Sequence, residues 1–307
     1  MQDILRIATR QSKLALWQAN FVADRLREAH AGLAVELVGI TTKGDRWLQA
    51  PLSEVGGKGL FVKELEAAML DGRADIAVHS AKDLPAAMPE AFALPVLAYR
   101  EDVRDVLVSV AGDLDALPAG ARVGSSSLRR KAQLLARRGD LLVEPVRGNV
   151  DTRLGKLAAG EFDAIVLAQA GLNRLELTDA LPAGQAYALD PALCLPAPGQ
   201  GALAIQCLAD GDAVTLLGPL ADEAVARCVS AERGVSEGLG GDCSLPLAAH
   251  AEIGDDGHVH LAARLCSADG ATILHASGSG ADPGALARQV VASLLADGGE
   301  AVLAALR

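Results

Sequence analysis

The chain has 307 residues, half of them hydrophobic but only 3% aromatic, and a formal net charge of -11 at pH 7. That length suits two or three domains with real cores, no run of ~18 apolar residues is present to span a bilayer, and the acidic balance argues against a general nucleic-acid binder. The charge is uneven, however: between Arg122 and Lys156 nine Lys or Arg stand against three acids, whereas from Ala221 onward five Arg stand against twelve acids. Arginine concentrated in one segment of an acidic protein points to an anionic small molecule as its ligand. The N-terminus lacks the basic-then-apolar layout of a signal peptide, so a cytoplasmic location is expected. The five cysteines, Cys194, Cys207, Cys228, Cys243 and Cys266, form no C-x-x-C pair and have no histidine at metal-ligand spacing, so reduced thiols and no metal are expected.

In chain order, Leu5 to Thr9 reads as a short buried strand. Ser12 then precedes a helix from Lys13 to Glu28, with Leu14, Trp17, Phe21 and Leu26 at helical spacing. Val35 to Ile40 is a second strand. Thr41 to Gly59 has no clear period and reads as a long loop of the kind that covers a site. A helix from Leu60 to Leu70 and strands at Asp75 to His79 and Ala93 to Tyr99 follow. The alternation resumes with strands at Val106 to Val108 and Arg122 to Gly124, a helix from Leu128 to Arg138, a strand at Leu141 to Val143, a helix from Val150 to Ala159 and a strand at Ala164 to Leu167. Such alternation predicts open α/β sheets covered by helices on both faces. The turn-rich Leu195 to Gly201 precedes a strand at Ala202 to Gln206 and reads as a crossing back into the first domain. Beyond Asp222, a helix, three strands (Leu245 to Ala251, His258 to Cys266, Thr272 to Ser277) and a helix from Pro283 predict a small α+β domain.

Several strand ends carry chemistry. His79-Ser-Ala-Lys-Asp-Leu-Pro85 follows an apolar strand, and in open α/β sheets ligands bind beyond the carboxyl ends of strands, which places Ser80, Lys82 and Asp83 at a candidate cleft. A solvated turn explains the same residues about equally well. Gly124-Ser-Ser-Ser-Leu-Arg-Arg130 gathers hydroxyls, unpaired backbone N–H groups and two arginines where a helix begins, which makes an anion site. Arg147-Gly-Asn-Val-Asp-Thr-Arg153 repeats the arrangement one strand later, and Arg10-Gln-Ser12 gives a weaker version. A basic solvated face accounts for one such junction, not readily for three. Guanidinium forks suit carboxylates or phosphates. A nucleotide enzyme is disfavoured, because Gly56-Gly-Lys-Gly59 has Leu52 at the first glycine of a Walker A and Gly59 at its Ser or Thr. Cys243 stands in a glycine-rich turn, Gly238 to Leu247, an unusual place for a free thiol.

These strings, with Arg6 to Ser12, Val55 to Phe61, Asp75 to Asp83, Arg147 to Val150, Leu195 to Gly201 and the Cys243 turn, resemble the porphobilinogen deaminase (hydroxymethylbilane synthase) family, collinearly and over nearly the whole chain. The resemblance implies an enzyme of tetrapyrrole synthesis that condenses four porphobilinogen molecules head to tail, releasing ammonia, on a dipyrromethane cofactor held by a thioether to Cys243. It implies three domains: 1–98 with 199–216, 99–198, and 217–307. The first two resemble periplasmic-binding-protein lobes with a cleft between them. Asp83 matches the catalytic carboxylate. Ser12, Ser80, Lys82, Ser126, Ser127, Arg129, Arg130 and Arg147 match cofactor-binding positions, and Arg10, Arg153, Arg174 and Gln200 match substrate-binding ones. Expected besides are a cytoplasmic monomer and no nucleic-acid or membrane partner. Two positions depart from the family pattern: Asp242 precedes the cysteine where glycine is common, and Glu54 stands where some relatives carry lysine. An adjacent carboxylate raises the thiol pKa and slows loading. The rivals are a solute-binding protein of the same two-lobed build, which has no use for Cys243 or Asp83, and a paralogue that has lost catalysis.

Overall fold

The computed structural model describes residues 4–42, 62–178, 181, 184–241 and 245–306. The loop expected from Thr41 to Gly59, including Glu54, therefore lies almost wholly outside the described residues, as do Asp242 and Cys243. The chain divides into two compact units, residues 1–100 with 202–226 and residues 101–201 with 227–307.

The first unit begins with β1 (Ile4–Arg10), α1 (Lys13–Ala29), β2 (Ala34–Ile40), α2 (Lys63–Leu70), β3 (Ile76–Ser80) and β4 (Phe92–Ala98). Ser12 caps α1 by accepting the Ala15 N–H, and Ala19, Val22, Ala23 and Leu26 bury one stripe of the helix. The chain then enters the second unit as β5 (Asp105–Ser109), β6 (Arg122–Gly124), α3 (Leu128–Arg137), β7 (Leu142–Glu144), α4 (Val150–Ala158), β8 (Ala164–Ala168), α5 (Gln169–Arg174) and β9 (Ala186–Ala188). It returns to the first as β10 (Leu203–Leu208) and α6 (Ala213–Leu217), and ends in the second with α7 (Glu223–Gly238), β11 (Leu247–Ile253), β12 (Val259–Cys266), β13 (Ile273–Gly280), α8 (Pro283–Leu294) and α9 (Glu300–Ala305).

The two five-stranded sheets share one topology. Their orders are β2-β1-β3-β10-β4 and β7-β6-β8-β5-β9. In each, three parallel strands are followed by an antiparallel one, β10 or β5, which is the strand formed just after the chain changes unit. β1 thus corresponds to β6, and β3 to β8. The central strands are buried on both faces, as Ile7, Ile76, Leu203, Ile205, Leu107 and Ile165 at 0% exposure show, which explains their near-continuous apolar runs. The third sheet is an antiparallel β11-β12-β13 meander. Its core joins Ala231, Val235, Leu261, Leu265, Leu286 and Val290, so α7 and α8 cover one face.

Most element boundaries lie within two residues of the sequence reading. It missed α5, β9 and α6, which at six, three and five residues are too short for periodicity to register. The return through Leu195 to Gly201 is fixed by backbone chemistry. Gly201 has φ +88, its carbonyl accepts the Glu101 N–H at 3.1 Å, and a Cβ there would lie 2.4 Å from the Glu101 carbonyl oxygen. Only glycine fits.

Candidate active site

In the first unit the relevant side chains sit at the carboxyl ends of β1 and β3. Arg10 is half-buried at the end of β1, and Ser12 holds the first turn of α1 with its hydroxyl 3.3 Å from the Ala15 nitrogen. β3 ends at Ser80, whose hydroxyl accepts a hydrogen bond from the buried Gln18 amide at 2.9 Å. A single 3-10 turn, Ala81–Asp83, follows, pinned where the Ala81 N–H meets the Ala202 carbonyl at 3.0 Å. That turn leaves Lys82 half-buried and the Asp83 carboxylate exposed.

Behind this turn lies a buried polar chain without counterpart in the sequence reading. His79 Nε2 is 2.9 Å from Gln206 Oε1, and Gln206 Nε2 donates to Glu66 Oε1 at 2.8 Å. Because the Gln206 amide nitrogen faces Glu66, its oxygen faces His79, so Nε2 of the imidazole carries the proton. Burial lowers the His79 pKa to about 4; the Gln206 hydrogen bond opposes the shift and the Arg10 charge adds to it. A histidine that folds neutral binds fewer protons than the unfolded chain below its ordinary pKa of 6.5, so stability falls as pH drops through the window from 6.5 to about 4. The loss reaches about 3 kcal/mol at the acid end, at ~1.4 kcal/mol per unit. Urea melts of the wild type and His79→Gln across this window are expected to show a flatter pH dependence in the variant. Parallel curves would show that His79 does not titrate in this way.

In the second unit the equivalent junction is the end of β6. Ser127 caps α3 by accepting the Arg130 N–H at 3.4 Å, as Ser12 caps α1, and Ser126 donates its hydroxyl to the Val146 carbonyl at 2.7 Å. One strand over, Asn149 caps α4 by accepting the Thr152 N–H at 2.9 Å, and Arg153 turns back to donate Nε to the Gly148 carbonyl at 2.9 Å. Arg147 is half-buried at the same turn.

Four of the expected binding residues also make buried contacts within the protein. Arg129 and Arg130, 4% and 6% exposed, both bind the fully buried Asp105: Arg129 Nη1 to Oδ2 at 2.6 Å, and Arg130 Nε and Nη2 to Oδ1 at 3.0 and 2.7 Å. Burial alone would raise the Asp105 pKa, but the two guanidiniums prevail and hold it far below the carboxylate range. Gln200 is fully buried and donates to Val103 and to Asp105 Oδ1, at 2.7 and 2.9 Å. Arg174 Nη2 donates to the Gly201 carbonyl at 2.6 Å, and burial lowers its pKa to about 10 against the opposing charge of Glu101. The sequence reading missed Asp105 because Arg104-Asp105 looks like an ordinary charged pair at a strand start.

Cys243 lies outside the described residues, but the approach to it does not. The Gly240 N–H meets the Glu237 carbonyl at 2.9 Å and the Gly241 N–H meets the Ser236 carbonyl at 2.7 Å, with φ +65 at Gly240. This is the glycine stop that ends a helix sharply, so α7 finishes at Gly238, five residues before Cys243. The other four cysteines are buried and unpaired. Burial pushes the thiol pKa up to about 12 at Cys194 and about 11 at Cys266, and upward at Cys207. Among the described residues, no helix is long and apolar enough to cross a membrane and no cluster of three or more His, Cys, Asp or Glu could hold a metal.

Hydroxyls, cationic side chains and helix starts stand at the carboxyl ends of parallel strands in each unit, and they define the class: an α/β protein whose strand ends suit the anionic groups of a small molecule, carboxylates or phosphates. Two family models cover the chain, "Porphobilinogen deaminase, dipyromethane cofactor binding domain" over residues 5–215 and "Porphobilinogen deaminase, C-terminal domain" over residues 226–296. Porphobilinogen deaminases of Burkholderia mallei strain SAVP1 and Burkholderia pseudomallei strain 668 are each 51% identical over 309 residues, covering 98% of this chain and 92% of theirs. The chain belongs to the porphobilinogen deaminase family. Its activity is that of a hydroxymethylbilane synthase, which condenses porphobilinogen head to tail with loss of ammonia and works with a dipyrromethane cofactor. Among solved structures, the BvgS periplasmic VFT2 domain of Bordetella pertussis aligns at TM-score 0.42 and 21% identity, over 71% of this chain and 86% of that one. The periplasmic aliphatic sulphonate binding protein SsuA from Escherichia coli aligns at 0.40 and 13%, over 77% and 70%.

Proposed function

We propose that Cys243 carries the dipyrromethane through a thioether, that Asp83 is the catalytic carboxylate, and that the enzyme acts as a cytoplasmic monomer of three domains: 1–98 with 199–216, 99–198 and 217–307. The observation that carries this reading is the burial of every other cysteine. Thioether formation needs a thiolate with access to an electrophile, and raised pKa values deny that to Cys194, Cys207 and Cys266.

The donor set fits a cofactor and substrate that bear acetate and propionate groups. Ser12, Ser80, Lys82 and Arg10 in the first unit, and Ser126, Ser127, Arg129, Arg147 and Arg153 in the second, are cationic or hydroxylic and stand at strand ends that open helices. Ser80, Lys82, Arg129 and Arg147 are assigned to the cofactor, with Arg130 behind Arg129; Arg10 and Arg153 are assigned to the substrate. Arg174 and Gln200 serve from inside, by holding the return segment. When bound, the dipyrromethane supplies the pyrrole carbon to which the first substrate is joined. Asp83 accepts the pyrrole N–H of the substrate, where positive charge develops as ammonia leaves. Arg10 takes a substrate carboxylate, which orients the ring against Asp83, while Lys82 beside Asp83 takes a carboxylate of the cofactor.

Intact mass of the purified protein tests the attachment. An excess over the chain equal to two condensed pyrrole units is expected. A fully active protein of unmodified mass would exclude a covalent primer.

A further inference from the structure

We propose that Asp105 is a positioning residue of this reaction, holding Arg129 and Arg130 so that the open edge of Arg129 meets a carboxylate of the bound pyrrole chain. The proposal rests on the reading above that this pair serves carboxylates, and adds the group that aims it. Asp105 stands on β5, whereas both arginines stand on the first turn of α3. Its two oxygens divide the labour: Oδ1 takes Nε and Nη2 of Arg130 together with the Gln200 amide, and Oδ2 takes Arg129 Nη1 at 2.6 Å and the Cys194 thiol at 3.3 Å. Five donors, from α3, from Cys194 and from Gln200 in the return segment, leave this carboxylate one orientation.

The consequences for the two arginines differ. Arg130 is closed, since Nη1 donates to the Val166 carbonyl at 2.9 Å. Arg129 Nη1 also reaches the Leu195 carbonyl at 2.8 Å, but its Nε and Nη2 meet no acceptor among the described residues, although the side chain is only 4% exposed. One carboxylate against two guanidiniums leaves a positive charge unbalanced in a low-dielectric site. That charge sits on the turn where the N–H groups of Leu128 and Arg129 have no intrahelical partner, so the surplus faces the same end as the helix dipole. Without the Asp105 charge the two guanidiniums repel each other, and the open edge of Arg129 loses its aim.

The test is a cycle of Asp105→Asn, Arg129→Gln and the double variant, with fold checked by circular dichroism. The readouts are the fraction of chain bearing the covalent adduct by intact mass, and kcat and KM of the loaded fraction. Asp105→Asn is expected to lower loading and raise KM by about 10-fold while kcat changes by less than about 3-fold, the scale usual for groups that orient a ligand-binding side chain. In the Arg129→Gln background it should change either readout by less than about 2-fold, because its effect passes through that arginine. Unchanged loading and KM in a folded Asp105→Asn, or effects that multiply independently, would overturn the proposal. If Arg129→Gln alone leaves loading and KM intact, the underlying reading of the arginine fails instead, and the proposal falls with it. Should Asp105→Asn not fold, Asp105→Glu keeps the charge and displaces both guanidiniums by one methylene. A raised KM with near-normal kcat is then expected, and an unchanged KM sinks the idea.

Discussion

Asp83→Asn is expected to lower steady-state formation of hydroxymethylbilane by at least ~100-fold, with the cofactor still attached. Loss of ammonia from porphobilinogen leaves a cationic methylene-pyrrolenine, so positive charge grows at the pyrrole nitrogen as the transition state is approached. A fixed carboxylate accepting that N–H stabilises the transition state more than the ground state. Asparagine keeps the shape and an acceptor oxygen but removes the charge, so it isolates the electrostatic contribution. Asp83→Glu retains charge on a side chain one methylene longer and should keep part of the activity. The 3-10 turn that carries Asp83 is held by the Ala81 N–H and by β3, neither of which involves the carboxylate, so both variants should fold normally. Near-wild-type turnover in Asp83→Asn would reduce the residue to a turn aspartate.

Cys243→Ser is expected to yield a folded chain of unmodified mass with less than ~1% of wild-type turnover. A serine hydroxyl is a far weaker nucleophile at neutral pH than a thiol, which already has a few per cent of thiolate, so the thioether is not replaced by an ether. Serine at Cys194, Cys207, Cys228 or Cys266 should leave the adduct in place, because these thiols are buried and cannot reach an electrophile. An adduct that persists in Cys243→Ser and disappears in one of those four would move the attachment site. Loading of the wild type should also slow at lower pH, and Asp242→Gly should speed it, since a neighbouring carboxylate raises the thiol pKa.

How much of this was legible in the chain depends on the distance over which each feature is decided. Strands β1, β3 and β6 and helices α1 and α3 were readable because apolar runs, helical spacing and the caps Ser12 and Ser127 are local signals. The Gly-rich stop after α7 and the Ser80-to-Asp83 turn were readable for the same reason. Which guanidinium is available to a ligand was not. Arg129, Arg130 and Arg153 look alike as letters, and only the fold brings Asp105, 24 residues from Arg129 in sequence, to meet two of them. The His79, Gln206 and Glu66 chain joins residues 127 and 140 positions apart, so no spacing rule could anticipate it.

By itself, then, the sequence determined the α/β class, the α+β end of the chain and the family through its collinear motifs, and it marked Asp83 and Cys243 as the candidate positions for the chemistry. Only the tertiary structure decided the common topology of the two five-stranded sheets, which requires β5 and β10 to be exchanged as the chain changes unit. It also decided that Arg174 and Gln200 hold the return segment through Gly201, Val103 and Asp105. The physical reason is the same in each case. Propensity, capping and turn chemistry act over a few neighbouring residues and are written in order along the chain, whereas burial and charge pairing act between residues that only folding makes neighbours.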